Sequence, residues 1–332
     1  MNLFELTTEL IKIPSVSGDE ARVGAFLGDY LASLGWMVEL QTVADDRKNV
    51  VAHLSDNPRV FLSTHMDTVP PFIAPSEDNE NIYGRGACDA KGIIASQIFA
   101  AEQLRKEGVT DIGLLFTIDE EQGSTGARAA NTLPIARKCQ FLINGEPTDN
   151  ELAIGSKGSL RMFLRTMGKA AHSAYPEMGE SAIEKLLDIL TDVRRLEFPT
   201  DEFFGETTLN IGTIAGGLKT NVIPPDAEAG LHVRLVTDEQ PILEKLVETI
   251  AGRGELEIAS IAQPVKMLSV EGFRQKVVRF TTDIPHLSNW GTPLLLGAGS
   301  ILVAHTKDEF VAKKDLLEAV DLYVNLGKKL LS

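Results

Sequence analysis

The chain has 332 residues, a formal net charge of −15 and a hydrophobic content of 43%. That length suggests two domains, with enough apolar residues for real cores. The acidic balance argues against a nucleic-acid partner, whose phosphates would be repelled, and no apolar run approaches the ~18 residues of a membrane span. Residues 1–9 lack the basic stretch and apolar block of a secretory signal. The two cysteines, Cys88 and Cys139, make no disulfide framework. Together these features lead to the expectation of a cytoplasmic protein.

Leu3, Phe4, Leu6, Leu10 and Ile11 follow helical spacing. The segment Ser17-Gly-Asp-Glu20 reads as a capping box opening a second helix, which Gly35 ends. Strands are expected over 49–54 and 59–64, a helix over 90–105 stopping near Gly108, and strands over 112–118 and 140–143. Strands alternating with helices predict an α/β catalytic domain with a mostly parallel sheet flanked by helices. The pattern then changes. A strand over 160–166, a helix over 180–196, strands over 208–214 and 228–235, a helix over 240–251 and a strand over 256–261 follow. This β-α-β-β-α-β order predicts a ferredoxin-like α+β unit. A last helix is expected over 313–330.

Metal-seeking side chains punctuate this plan: His65, Asp67, Asp89, Glu120, Glu121, Glu146 and His305. Most follow apolar runs, at strand ends, where open α/β sheets place their sites. Zinc accepts imidazole nitrogen and carboxylate oxygen. Two ions about 3.5–4 Å apart can share one carboxylate and one water, which predicts a bridging acid and two further ligands per ion. A carboxylate left free beside them would be a natural general base, and an acid two residues after a ligating histidine can fix its tautomer. Because such residues lie on both sides of the ferredoxin-like unit, that unit reads as an insertion. The expected domains are 1–155 with 262–332, which bind metal, and an inserted 156–261.

His65-Met-Asp67, Gly84-Arg-Gly-Ala-Cys-Asp89-Ala-Lys-Gly92, Glu120-Glu121, Gly145-Glu146-Pro147 and Ala304-His305-Thr306 occur in this order. They resemble the five metal-site motifs of the acetylornithine deacetylase and succinyl-diaminopimelate desuccinylase family. These are two-zinc metallopeptidases and amidohydrolases, grouped with aminoacylases and glutamate carboxypeptidases. The resemblance covers nearly the whole chain. It implies that Asp89 bridges two zinc ions, with His65 and Glu146 on one and Glu121 and His305 on the other. Glu120 is then the general base, and Asp67 orients His65. Cobalt or manganese would also suit so oxygen-rich a set.

The resemblance further implies that the inserted unit is a lid and dimerisation domain. His172, in Gly168-Lys-Ala-Ala-His172-Ser-Ala174, would reach the site of the partner subunit in a homodimer and hydrogen-bond the oxyanion. Asn221 and Arg234 resemble the family's substrate-contacting pair, and the planar fork of Arg suits a carboxylate. Asp283 and His286 lie in a proline-containing loop of the kind that lines substrate pockets in the family. His53 and His232, each on a strand, read as structural. Cys88, beside Asp89, reads as a core residue.

The expected reaction is hydrolysis of the amide of an N-acylated amino acid by a metal-bridged water. Residues 155–160 look closer to enzymes of acylated ornithine or lysine, and the loop over 281–291 departs from the glycine-rich version of the desuccinylases. N-acetylornithine is therefore the first expected substrate and a lysine-pathway carrier conjugate the next. A dipeptidase or carboxypeptidase would use the same metals on the same kind of bond. A binding protein without activity would need neither Glu120 nor His172.

Overall fold

The computed structural model describes all 332 residues. The chain forms two compact units. The first comprises Met1–Ile154, Met267–Lys276 and Thr282–Ser332, and the second Gly155–Lys266 and Val277–Thr281.

Helix α1 (Leu3–Lys12) opens on a capping box not anticipated from the sequence. Asn2 Oδ1 accepts from Glu5 N, and Glu5 Oε2 accepts from Asn2 N, both at 2.9 Å. Helix α2 (Ala21–Ser33) corrects the expectation at 17–20, because no side chain caps it. Ser17 Oγ donates to Asp67 and Glu20 pairs with Arg47, so tertiary partners claim both side chains. Gly35 does end this segment, at φ 87°.

Strands β1 (Met37–Ala44), β2 (Arg47–His53), β3 (Val60–His65), β4 (Ser76–Glu77) and β5 (Asn81–Tyr83) follow, then α3 (Lys91–Lys106). Next come β6 (Ile112–Thr117), α4 (Thr125–Ala130), β7 (Phe141–Asn144), β8 (Leu152–Ser156) and β9 (Gly158–Met167). Helix α5 (Ala182–Val193), β10 (Thr200–Asp201), β11 (Gly205–Glu206), β12 (Thr208–Gly216), β13 (Asp226–Leu235), α6 (Gln240–Ile250) and β14 (Glu255–Ala262) come after them. The chain ends with β15 (Val265–Lys266), β16 (Gln275–Val278), β17 (Thr292–Leu295), β18 (Phe310–Ala312) and α7 (Lys313–Leu331). Strand β1 was missed in the sequence because it is an edge strand with no buried residue and no clean alternation.

The main sheet of the first unit runs β1-β2-β6-β3-β7-β17-β8. Its central strands β6, β3, β7 and β17 are parallel, whereas β1-β2, β2-β6 and β17-β8 pair antiparallel. Strands β3 and β6 are buried along their whole length, as strands covered on both faces must be. Their alternating side chains serve two cores. Val60, Leu62, Leu114, Phe116 and Ile143 pack with α1, α2, α3 and α7. Phe61, Leu115 and Leu142 pack with α4 and Trp290, where Phe61 meets the indole edge-on with centroids 4.8 Å apart.

In the second unit the sheet order is β12-β13-β9-β14, all antiparallel. With α5 and α6 in sequence, this is the connectivity of a ferredoxin-like unit. Residues alternate along β13, and Ala227, Ala229, Leu231, Val233 and Leu235 pack with Leu186, Ile189, Ile242 and Leu246 of the two helices. The opposite face is polar, with Arg165 pairing Glu228 and Glu257. Strand β12 is a sheet edge, mostly exposed.

Candidate metal centre

The carboxyl ends of the parallel strands deliver the metal-seeking side chains to one place. His65 is the last residue of β3. Glu120 and Glu121 follow β6 after Asp119, whose φ of 66° turns the chain sharply. Glu146 follows β7 through Gly145. Side chains of Ile93 and Gln97 lie within 2.5 Å of where a Cβ on residue 145 would stand, so only glycine fits. Gly145 N donates to Ser63 O, and Thr64 Oγ1 donates to Gly145 O, both at 2.7 Å. The segment leading to Glu146 is thus fixed on β3. Asp89 ends the loop before α3, and the Asp89–Ala90 peptide is cis. His305 lies in the loop between β17 and β18.

These residues meet. His65 Nε2 is 2.9 Å from Asp89 Oδ1 and 3.9 Å from Glu146 Oε1. His305 Nε2 is 3.2 Å from Asp89 Oδ2 and 2.9 Å from Glu121 Oε1. Each oxygen of Asp89 therefore faces a different imidazole. Ligand atoms of His65, Asp89 and Glu121, and of His65, Glu120 and Glu146, converge within 4.8 Å. Glu120 belongs to this convergence and is not set apart from it. His65 and Asp89 are buried, while half the His305 side chain is exposed, which leaves that side open to solvent.

Asp67 has more to do than the sequence suggested. The Nδ1 of His65 lies 3.0 Å from the main-chain oxygen of Asp67 and 3.5 Å from Oδ1. The carboxylate accepts from Ser17 Oγ at 2.7 Å and from the amides of Glu120 and Glu121 at 3.0 and 3.2 Å. It secures the turn as well as the imidazole.

The electrostatics describe a cluster short of positive charge. Burial, reinforced by neighbouring carboxylates, raises Glu120 and Glu146 well above the usual carboxylate range. Burial also raises Glu121, although His305 opposes it. Asp89 behaves oppositely: burial would raise it, but hydrogen bonds with His305 and His65 hold it well below its ordinary value. Its hydrogen bonds with Asp89 and Glu121 push His305 up to about 10. Carboxylate oxygens and imidazole nitrogens gathered this closely are donors that divalent cations accept. The donor set is of the kind that holds divalent metal ions.

Asp283, buried near Glu120, accepts from Thr117 Oγ1 at 2.8 Å, and burial raises its pKa to about 6. His286 Nε2 lies 3.3 Å from an Arg128 nitrogen. Cys88 is fully buried in the core. His53 Nδ1 is satisfied by Ser55 O at 2.8 Å, and His232 Nε2 by Ser159 Oγ at 2.8 Å.

In the second unit, His172 and Asn221 are neighbours. His172 forms an isolated bridge with Val222, and Ser173 N donates to Asn221 O at 3.1 Å. Ala174 N donates to His172 Nδ1 at 3.1 Å, so the neutral ring carries its proton on Nε2. Arg234 lies on β13, away from that loop in sequence, and donates to Thr281 Oγ1 at 3.3 Å.

Residues 61–329 match the family model described as peptidase family M20/M25/M40. A peptidase M20 domain-containing protein of Schizosaccharomyces pombe is 38% identical over 97% of this chain and 83% of its own length. A probable carboxypeptidase of Aspergillus clavatus is 35% identical over 99% of this chain and 89% of its own. The fold is shared with an M20 family metallo-carboxypeptidase of Sulfolobus solfataricus, at a TM-score of 0.79 and 20% identity over 98% of both chains. No helix is long and apolar enough to cross a membrane. This chain belongs to peptidase family M20/M25/M40 and is a hydrolase of that family.

Proposed function

We propose that the chain is a two-metal hydrolase that cleaves an amide bond whose amine side carries a free carboxylate. The observation that carries this reading is the division of Asp89 between His65 and His305. Asp89 would hold both cations, with His65 and Glu146 on one and Glu121 and His305 on the other. When bound, divalent cations would supply Lewis acidity and a water acidified toward neutrality.

Glu120 is the proposed base. It takes a proton from the attacking water and returns it to the leaving amine. Its place beside the proposed ligands His65 and Glu146 suits that role. His172, supplied by a partner subunit, donates from Nε2 to the oxyanion, a role its bond from Ala174 N leaves open. Asn221 and Arg234 hold the substrate carboxylate. The exposed edge β12 is a suitable surface for pairing with a second copy, because its outer backbone groups have no partner strand.

A peptide C-terminus and an N-acyl amino acid present the same bond to this site. The relatives named probable carboxypeptidases favour the peptide. The segment 155–160 favours the acyl group, with N-acetylornithine first. Turnover of a panel of N-acetyl amino acids and peptides, with and without chelator, separates them. Chelator-sensitive release of an amino acid from one class supports that reading, and no chelator-sensitive turnover refutes both.

A further inference from the structure

Glu309 was not singled out in the sequence, and no step of the proposed reaction uses it. It is nonetheless buried to 1% exposure and engages the loop that carries Asp89 at several points. Its Oε1 accepts from the amides of Gly86, Cys88 and Asp89 at 2.9, 3.3 and 3.3 Å. Its Oε2 accepts from Arg85 Nη1 at 2.5 Å, and its main-chain oxygen accepts from Gly84 N at 3.0 Å.

Arg85 extends the connection. It is 2% exposed, and the same Nη1 donates to Thr306 O at 3.1 Å. Thr306 adjoins His305, whose φ of 63° is uncommon for a residue with a side chain. A held carbonyl one residue on keeps that backbone from relaxing. The loop residues 84–89 and 305–309 are more than 200 positions apart in the sequence; the pairing of β5 with β18 brings them side by side, and the buried ion pair fastens them beyond the end of that ladder.

A pair taken out of water adds little net stability, because desolvation opposes the attraction. What it secures is geometry, since three amides, one guanidinium and one carbonyl are fixed at once. We infer that Glu309 and Arg85 are positioning residues. They set the loop of Asp89 and the loop of His305 in register before any cation arrives, so that both sites form together. This inference rests on the two-metal reading above.

The test titrates the full-length chain, stripped by chelator, with Co2+ and follows visible absorption. In E309Q the affinity for at least one ion should fall about 10–100-fold, as with other residues that support ligands. The d–d spectrum should also change, because the coordination geometry is altered. A purely structural role would lower the melting temperature and leave both affinity and spectrum of the folded fraction unchanged; that result overturns the inference. Should E309Q fail to fold, the metal-free wild-type chain supplies the test by hydrogen exchange. The amides of Gly86, Cys88 and Asp89 should be protected before Co2+ is added, and open-loop exchange until it is added overturns the inference. A wild-type chain that takes up no Co2+ would refute the two-metal reading itself, whereas two ions bound equally by wild type and E309Q refute only the role of Glu309.

Discussion

Asp67 holds Glu120 by its main chain: a carboxylate oxygen at the end of β3 accepts the Glu120 amide at 3.0 Å. The neighbouring amide of Glu121 binds the other oxygen of the same carboxylate. The proposed base and its neighbour are therefore placed by a residue that also borders His65. Burial opposes the charge of Asp67, but hydrogen bonds from His65, Ser17 and the Glu120 amide keep it ionised below its ordinary pKa.

Asp67→Asn should separate these contacts. An amide side chain has one acceptor oxygen, so one of the two backbone amides loses its partner and meets an NH2 group. Activity should fall about 10–100-fold, and an orphaned buried donor should cost about 1–3 kcal/mol of stability. Steady-state kinetics with urea unfolding measure both, and wild-type values in both would remove Asp67 from the positioning of this turn.

Glu120→Gln keeps shape and polarity but cannot take a proton. Turnover should drop by about 10²–10⁴-fold, the range for loss of general base catalysis, while KM and bound-metal content stay near wild type. Glu120 also lies close to His65 and Glu146. Loss of metal in this variant would recast Glu120 as a ligand.

A mixed-subunit experiment tests the role of His172. Subunits carrying Glu120→Gln are inactive in their own site, and subunits carrying His172→Ala cannot serve a partner. Mixing them should regenerate one competent site per heterodimer, recovering roughly a quarter of wild-type activity from an equimolar statistical mixture. Activity no greater than the average of the two parents would mean that His172 acts within its own chain or not at all.

His232 should give the second unit a measurable pH dependence. Burial, then Arg234 and Arg161, lower its pKa to about 4 from an ordinary 6.5. Between those values the unfolded chain binds the proton and the folded chain does not, so stability rises with pH there. This contribution is fully present above about pH 6.5 and is lost as pH falls toward 4. His232→Gln should flatten the fall in melting temperature over that window relative to wild type. An imidazole titrating near 6.5 by NMR would contradict the shift.

Legibility in the sequence followed the range of the interaction. Apolar runs such as 112–118 are readable because a strand buried on both faces must be apolar throughout, and the proposed ligands at their ends are readable as chemistry at a boundary. Strand β1 was not, since an exposed edge carries no such pattern. The supposed capping box at Ser17 failed because Asp67, 50 residues away, claims the hydroxyl. Glu309 gave no local signal: an acid in the segment Thr306-Lys-Asp-Glu309 looks solvated until the loop 84–89 closes around it. His172 and Asn221 were identified separately, and their adjacency comes from pairing across a loop that sequence spacing does not encode.

Counting divalent ions in the chain and in Asp89→Asn by native mass spectrometry, with elemental analysis, probes the bridging carboxylate most directly. The wild-type chain should carry two ions. Asp89→Asn should fail to hold the pair, because a single amide oxygen cannot serve two cations as a carboxylate can. Two ions retained in Asp89→Asn with wild-type affinity, or none in the wild-type chain, would contradict a shared centre built on Asp89.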